Sequence, residues 1–271
     1  MRMLADKPSR ENLTKFMETL QAQGRYTFTK KEAIAKLQVS DNAFHKAAFR
    51  LVHQRRLIRV RNGFYLIIPV EYQLSGGLPP TAYIDSLMKF RKQPYYVGIL
   101  SAAALHGAAH QSPQELQVVT SFPLRPIRAG RGKIHFFTKK RISSVPVQSI
   151  KTATGYIQAS TPEATALDLL LYVRSAGHLN NVATVLTELA EKIDSKKLLL
   201  ASQSGYDLSV VQRLGYLLER FTKQKVTSDL FQWIKKQEPE FAWLSPVRKS
   251  TTGARNVKWR LILNEEVEPD L

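Results

Sequence analysis

The chain has 271 residues, a hydrophobic content of 44% and a formal net charge of +18. Its length and apolar content predict two folded domains and exclude a disordered chain. The charge predicts an anionic partner, with nucleic acid ahead of an anionic membrane surface. The sequence contains no cysteine, which excludes disulfides and thiolate zinc sites. It shows neither a signal peptide nor an apolar run near the roughly 20 residues of a membrane span, so we expect a cytoplasmic protein.

The positive charge is concentrated near the N-terminus. Residues 1–70 hold 14 Lys and Arg against 5 Asp and Glu, and the other 201 residues hold 26 against 17. Each part carries +9, so the charge density of the first 70 residues is almost three times higher. A merely soluble basic protein would not show this concentration. The pattern therefore favours an N-terminal domain that binds nucleic acid.

The N-terminal segment predicts three helices. Thr29 and Glu32 have the spacing of a capping box, which begins a helix that ends at Leu37. After a short turn, Ser40 is placed to cap a further helix over residues 41–55. An earlier helix is indicated by apolar residues at helical spacing. These residues are Leu13, Phe16, Met17 and Leu20.

A β-hairpin is predicted directly after these helices. Residues 57–60 and 64–68 are rich in strand-forming side chains, and Asn62-Gly63 between them is a strong hairpin signal. Helix, short turn, helix and basic hairpin in this order predict a winged helix-turn-helix, an architecture typical of DNA-binding proteins.

The candidate DNA-binding residues lie on the helix over 41–55 and on its neighbours. On this helix Asn42 and Lys46 are the candidates for base contacts, whereas Arg50 suits either a base or a phosphate. Positioning contacts to the backbone are expected from the start of the preceding helix and from the hairpin. The full set is Lys30, Lys31, Asn42, His45, Lys46, Arg50, Arg59, Arg61 and Asn62.

Other interpretations of this surface remain open. A polar face is also what any solvated helix has, and a winged helix can bind RNA or protein. The outward stripe favours the DNA major groove, because the major groove of RNA is too deep and narrow for side chains. Phe49 falls near the exposed side, and we expect it to pack against the first helix rather than to touch a thymine methyl group.

The second domain is predicted to be α+β. The segment from 75 to 80 is rich in glycine and proline, so we place the domain boundary there, with a winged helix-turn-helix domain over 1–75 and a larger mixed domain over 81–271. Helices are predicted at 81–92, 95–107, 162–174, 179–193, 195–202, 207–221 and 228–237. Strands are predicted at 116–120, 133–138, 156–159 and 257–263.

The sequence does not indicate a catalytic or metal site. His106 and His110 have a zinc-binding spacing, but the glutamate that a metalloprotease motif needs is absent. We therefore expect no metal, no cofactor and no enzymatic activity. Two basic stretches of the second domain form a possible secondary surface for DNA or an acidic partner, although such runs are often merely solvated. Its candidates are Arg125, Arg128, Arg131, Lys133, Arg248 and Lys249.

The chain resembles the AbiEi-type antitoxins of type IV toxin–antitoxin (abortive infection) systems over nearly its whole length. The resemblance is carried by the hairpin segment 55–65, by Tyr-Tyr-Val-Gly-Ile-Leu-Ser-Ala-Ala-Ala-Leu-His-Gly-Ala-Ala-His-Gln at 95–111, and by three shorter motifs at 160–169, 243–247 and 259–264. The segment 95–111 is the most specific of these.

This resemblance implies a repressor and an antitoxin in one chain. The N-terminal domain would bind inverted repeats in the promoter of its own operon, and the second domain would counter a nucleotidyltransferase-type toxin without a stable complex. Two alternatives stay open. One is a ligand-responsive winged-helix repressor without an antitoxin role, and the other is a nucleic-acid enzyme.

Overall fold

The computed structural model describes residues 12–74, 76–108, 113–223, 225–248 and 252–269. The fold is mixed α+β, as predicted. The helices are α1 (Leu13–Ala22), α2 (Lys30–Leu37), α3 (Asp41–His53), α4 (Val70–Gln73), α5 (Ile84–Arg91), α6 (Ile99–Leu105), α7 (Pro162–Leu171), α8 (His178–Leu189), α9 (Ser195–Ser202), α10 (Leu208–Phe221) and α11 (Ser228–Lys236). The strands are β1 (Thr27–Thr29), β2 (Leu57–Arg61), β3 (Phe64–Ile67), β4 (Tyr95–Val97), β5 (Leu116–Thr120), β6 (Ile127–Ala129), β7 (Gly132–Thr138), β8 (Val147–Thr152), β9 (Gly155–Ser160), β10 (Ala242–Trp243), β11 (Ala254–Asn256) and β12 (Leu261–Leu263).

The caps of α2 and α3 are those that the sequence indicated. The Thr29 hydroxyl accepts a hydrogen bond from Glu32 N at 3.1 Å, and the Glu32 carboxylate accepts one from Thr29 N at 3.4 Å. The Ser40 hydroxyl accepts a hydrogen bond from Ala43 N at 3.2 Å. Each bond satisfies an amide that the first turn of a helix leaves unpaired. The turn between α2 and α3 is therefore fixed by local side chains.

The predicted hairpin is present and forms a small antiparallel sheet with β1. The strand order is β1-β3-β2, and the pairing of β2 with β3 shifts between Arg59 and Arg61. Gly63 adopts a φ of 78°, which favours glycine because it has no Cβ. Its carbonyl accepts a hydrogen bond from Lys30 N at 2.9 Å, which joins the hairpin tip to the start of α2. This order of helices and strands is that of a winged helix-turn-helix.

Aromatic side chains join the helices to this sheet. Phe28 of β1 lies between Phe16 of α1 and Tyr65 of β3, with ring centroids 5.5 Å apart in each case. Phe44 of α3 meets Tyr65 edge-on at 5.4 Å. All four rings are buried, and offset or edge-on pairs of this kind are favourable beyond the apolar area that they bury. They hold one face of α3 against the core.

The chain divides into two compact units that differ from the predicted domain limits. The first contains residues to Gln93 together with Pro126–Ile134 and Lys151–Tyr156, and the second contains Pro94–Arg125, His135–Ile150 and Ile157–Leu271. A Pro-Gly segment marks a break in secondary structure but does not record which later segments fold back. Assignment of separate functions to 1–75 and 81–271 therefore stays a prediction.

The hairpin of β6 and β7 explains why the first unit takes in residues 126–134. A Cβ at Gly130 would lie 1.7 Å from Gly76 O, so only glycine permits this approach of the two backbones. Arg131 N also donates a hydrogen bond to Gly76 O at 2.9 Å. These are contacts between segments more than 50 residues apart, which local sequence patterns do not reveal.

The second unit is built on a sheet in which β7, β5, β4, β9 and β8 are neighbours in that order. The helix predicted for 95–107 is wrong in its first part, because residues 95–97 form β4, antiparallel to β5 and parallel to β9. Gly98 is extended and ends this strand; a Cβ there would lie 3.0 Å from Val119 Cγ2. The helix begins only at Ile99, so the Tyr-Tyr-Val run follows its β propensity.

The helices α7 to α11 form most of the core of the second unit. Thr161 caps α7 and Pro162 occupies its first turn, as predicted, but the helix ends at Leu171 rather than at 174. The strand predicted for 257–263 is limited to Leu261–Leu263. Residues 257–260 form a turn instead, in which Trp259 O and Arg260 O accept hydrogen bonds from the buried Gln212 Nε2 at 3.0 and 2.9 Å.

A buried ionic group lies at the centre of the second unit. Lys139 Nζ is 3.6 Å from Asp168 Oδ1 and 3.0 Å from the centre of the Tyr206 ring. Tyr206 donates a hydrogen bond from its hydroxyl to Asp168 Oδ1 at 2.8 Å. Burial lowers the pKa of Lys139 to about 8, although Asp168 acts in the opposite direction. Burial likewise raises the pKa of Asp168.

Breaking this pair should destabilise the protein more than removing it. We expect Lys139→Met and Asp168→Asn each to lower the free energy of unfolding by about 3–5 kcal/mol, because each leaves a buried group without its partner. The double variant should recover most of that loss. Urea denaturation measures all three, with the exposed Lys140→Met as the control for lost charge. Equal additive losses in the double variant would contradict the coupling.

The pair also predicts a pH dependence. Between about pH 8 and pH 10 the folded protein has released the proton of Lys139, whereas the unfolded chain, with an ordinary lysine pKa of 10.5, still holds it. Stability rises with pH wherever the unfolded state binds more protons. The melting temperature of the wild type should therefore rise across this window relative to that of the Lys139→Met/Asp168→Asn variant. A constant difference would contradict the lowered pKa.

Candidate nucleic-acid interface

Helix α3 presents one face to the core and the other to solvent. Phe44, Ala48 and Leu51 are buried. The predicted contact residues Asn42, Lys46 and Arg50 are all exposed, as expected for positions on the opposite side of a helix that turns about 100° per residue. The structure thus brings these three side chains to one outward face.

Two other predicted contacts, Lys30 and His45, are engaged with an acidic residue. Lys30 Nζ lies 2.5 Å from Asp41 Oδ1 and 3.0 Å from His45 Nε2, and His45 Nε2 lies 3.2 Å from Asp41 Oδ2. The hydrogen bond from Lys30 lowers the pKa of the Asp41 carboxyl, and His45 contributes to the same direction. This cluster fixes the start of α3 beside α2, and Lys31 points to solvent beside it.

The hairpin places its basic residues at different depths. Arg59 is exposed opposite Tyr65, Arg61 is half-buried opposite Phe64, and Asn62 is exposed at the tip. The bulge between Arg59 and Arg61 changes which face the strand presents. The hairpin therefore offers Arg59 and Asn62 outward, with Arg61 closer to the protein.

A groove of about 780 Å³ lies against α3 and β2. Its lining combines cations with apolar side chains: Lys46, Arg50 and Arg59 with Phe49, Val52, His45, Ala48 and Tyr65. The expectation that Phe49 packs against the first helix is wrong. Its side chain is 65% exposed, and its ring meets His53 with centroids 4.6 Å apart. Position 49 lies seven residues after Asn42, about two helical turns later on the same face.

The residues of the predicted secondary basic surface are divided between the two units. Arg128, Arg131 and Lys133 belong to the first unit, on the hairpin of β6 and β7. Arg125 and Arg248 belong to the second unit, and Lys249 lies outside the described residues. The three hairpin residues therefore add to the basic charge of the winged-helix unit, and the set is not a feature of one domain as the sequence suggested.

His106 has a structural environment. It is buried, and its Nε2 donates a hydrogen bond to Ser160 O at 2.8 Å; burial lowers its pKa. His110 lies outside the described residues. In the described ranges no three His, Asp or Glu side chains cluster in a way that could hold a metal ion. Within those ranges, no helix combines the length and the apolar character that crossing a bilayer would require.

Comparisons with known proteins identify the class of the second unit. Residues 96–220 match the family model described as the AbiEi antitoxin C-terminal domain. This segment thus places the chain in the AbiEi antitoxin family and confirms the resemblance drawn from the motifs. The crystal structure of the RV2827C protein from Mycobacterium tuberculosis has a similar fold, with a TM-score of 0.66 and 15% identity over 94% of this chain and 91% of that chain. The search of curated proteins gives no significant match.

The Asp41 cluster makes a prediction about a measurable pKa. Replacing Lys30 by Met should raise the pKa of the Asp41 carboxyl towards its ordinary value of 3.8, because Lys30 is the largest cause of the lowering. His45→Gln should raise it less. Carbon-13 NMR titration of the carboxyl group measures both variants. A larger effect from His45→Gln would contradict the geometry of the cluster.

Proposed function

We propose that this protein is a DNA-binding antitoxin that represses its own operon through inverted repeats in the promoter. We further propose that it counters a cognate toxin of the nucleotidyltransferase type without forming a stable complex with it. The AbiEi domain supports an antitoxin role in a toxin–antitoxin system. The class of toxin follows from the family resemblance, and the DNA-binding role is argued from the first unit.

One observation carries the DNA-binding part of the proposal. The exposed face of α3 holds Asn42, Lys46 and Arg50, while the opposite face is fixed in the core. A recognition helix needs this separation, because its base-reading side chains must reach the groove while the helix stays rigid. Asn reads adenine bidentately, and Lys or Arg reads guanine or contacts a phosphate. We assign base contacts to Asn42 and Lys46.

The surrounding basic residues suit contacts to the DNA backbone. Lys31 lies at the start of α2, where unpaired amides also favour phosphate, and Arg59 and Asn62 extend the surface along the hairpin. Arg128 and Arg131 are exposed in the same unit. Lys30 and His45 act first through Asp41, so we assign them to positioning α3 against α2. Such contacts set register and affinity rather than sequence preference.

The test is binding of the full chain to the roughly 200 base pairs upstream of its gene. We expect affinity at least about a thousandfold above that for scrambled DNA of the same length, measured at two salt concentrations. Lys46→Gln and Arg50→Gln should each weaken specific binding by about 10- to 100-fold, since each removes a charged contact within the groove. Equal affinity for the two DNAs would contradict the repressor role.

The matched control is Lys236→Gln, which removes the same charge from an exposed position on α11 in the second unit. It should keep specific binding. The Lys46 and Arg50 variants should also still protect cells against the cognate toxin, measured as growth during toxin expression from a separate promoter. Loss of protection in a variant with an unchanged melting temperature would contradict the division of roles between the two units.

A further inference from the structure

The exposed face of α3 carries an apolar pair that the fold does not use. Phe49 is 65% exposed and Val52 is 40% exposed, and both line the groove of about 780 Å³. The same groove is lined by Lys46, Arg50 and Arg59. Single exposed apolar residues are ordinary, but here two of them share one groove with three cations. A suitable occupant must therefore be anionic at its edge and apolar where it meets the two side chains.

We propose that Phe49 and Val52 contact thymine methyl groups in the major groove and thereby select thymine at defined positions of the bound sequence. This proposal rests on the proposed DNA-binding function and names the bases that its recognition helix reads. The C5-methyl group of thymine is the apolar group that a base pair presents in the major groove, and phosphates flank it on both sides. Duplex DNA thus has the required combination of charge and apolar surface.

The position of Phe49 on α3 agrees with this role. At about 100° per residue, Phe49 lies about 20° from Asn42 and about 60° from Lys46 around the helix axis. It therefore projects in the same direction as the side chains that we assign to base reading. Asn42 is suited to adenine, and each adenine is paired with a thymine, so A·T pairs supply partners for both kinds of side chain.

A second copy of the protein is a less suitable occupant of the groove. Joining two such grooves would bring Lys46, Arg50 and Arg59 of one copy close to the same cations of the other. Like charges placed together across an interface oppose association. The first 70 residues already carry a net charge of +9, which adds to this repulsion. DNA removes the conflict because its phosphates neutralise these cations.

Replacement of thymine by uracil tests the proposal directly, because it deletes the methyl group and leaves base pairing unchanged. The probe is a fluorescent duplex of the promoter sequence that the full chain protects in footprinting, with deoxyuridine introduced at one thymine at a time. Fluorescence anisotropy gives each Kd. Burial of one methyl group corresponds to a roughly fourfold change in affinity. We expect such a loss at one or two thymines in each half-site.

The variant Phe49→Ala should bind normal DNA more weakly and should no longer distinguish thymine from uracil at one of these positions. Phe49→Leu, which keeps an apolar side chain, should retain part of the distinction. The matched control is Leu74→Ala, another exposed apolar residue of the first unit, which should behave as wild type. Because Phe49 is exposed, these variants should keep the wild-type melting temperature.

The outcomes separate this proposal from the proposed function. Specific promoter binding with no response to uracil at any thymine would overturn the methyl contact and leave the repressor role intact. An unchanged response in Phe49→Ala would also overturn it. If Phe49→Ala instead changed the oligomeric state in sedimentation and left the uracil response intact, the groove would be an interface between copies. Absence of any specific DNA binding would overturn both proposals together.

Discussion

The packing of Phe44 against Tyr65 is the contact on which the arrangement of the first unit depends. Tyr65 lies in β3, the central strand of the small sheet, and its ring also stacks on Phe28. Fixing Phe44 in this core leaves α3 no freedom to rotate, so the residues on its other side must face solvent. The direction in which Asn42, Lys46 and Phe49 project is thus a consequence of core packing.

The Asp41 cluster shows how a strongly basic unit keeps its helices together. Two cations, Lys30 and His45, lie on opposite sides of the α2–α3 turn and would repel each other without the carboxylate between them. Exposed ion pairs of this kind add little stability individually. Asp41 also stands in the first turn of α3, where the helix dipole favours a negative charge. We interpret the cluster as a device that sets the angle of α3 rather than one that stabilises the fold as a whole.

Local chemistry predicted the N-terminal unit well because its signals lie within a few residues of one another. The capping box of Thr29, the Ser40 cap and Asn62-Gly63 each act over three or four positions. The failures have the opposite character. Tyr95–Val97 is a strand because β5 pairs with it from 20 residues away, and residues 257–260 turn because Gln212 of α10 holds their carbonyls. The contact of Gly130 with Gly76 assigns the hairpin of β6 and β7 to the first unit. A single sequence carries no record of such distant contacts.

Phe49 illustrates a different limit, because helical periodicity placed it correctly and the expected packing was still wrong. Its position on the outward face follows from the 3.6-residue repeat, and the error came from assuming that a large apolar residue must be covered. Phenylalanine has no helix-forming advantage over alanine or lysine, and a largely exposed ring adds little to the core. The stability of the fold therefore does not require an aromatic residue at position 49. What remains to explain its presence is a partner that covers it, and the cations around it restrict that partner to an anion.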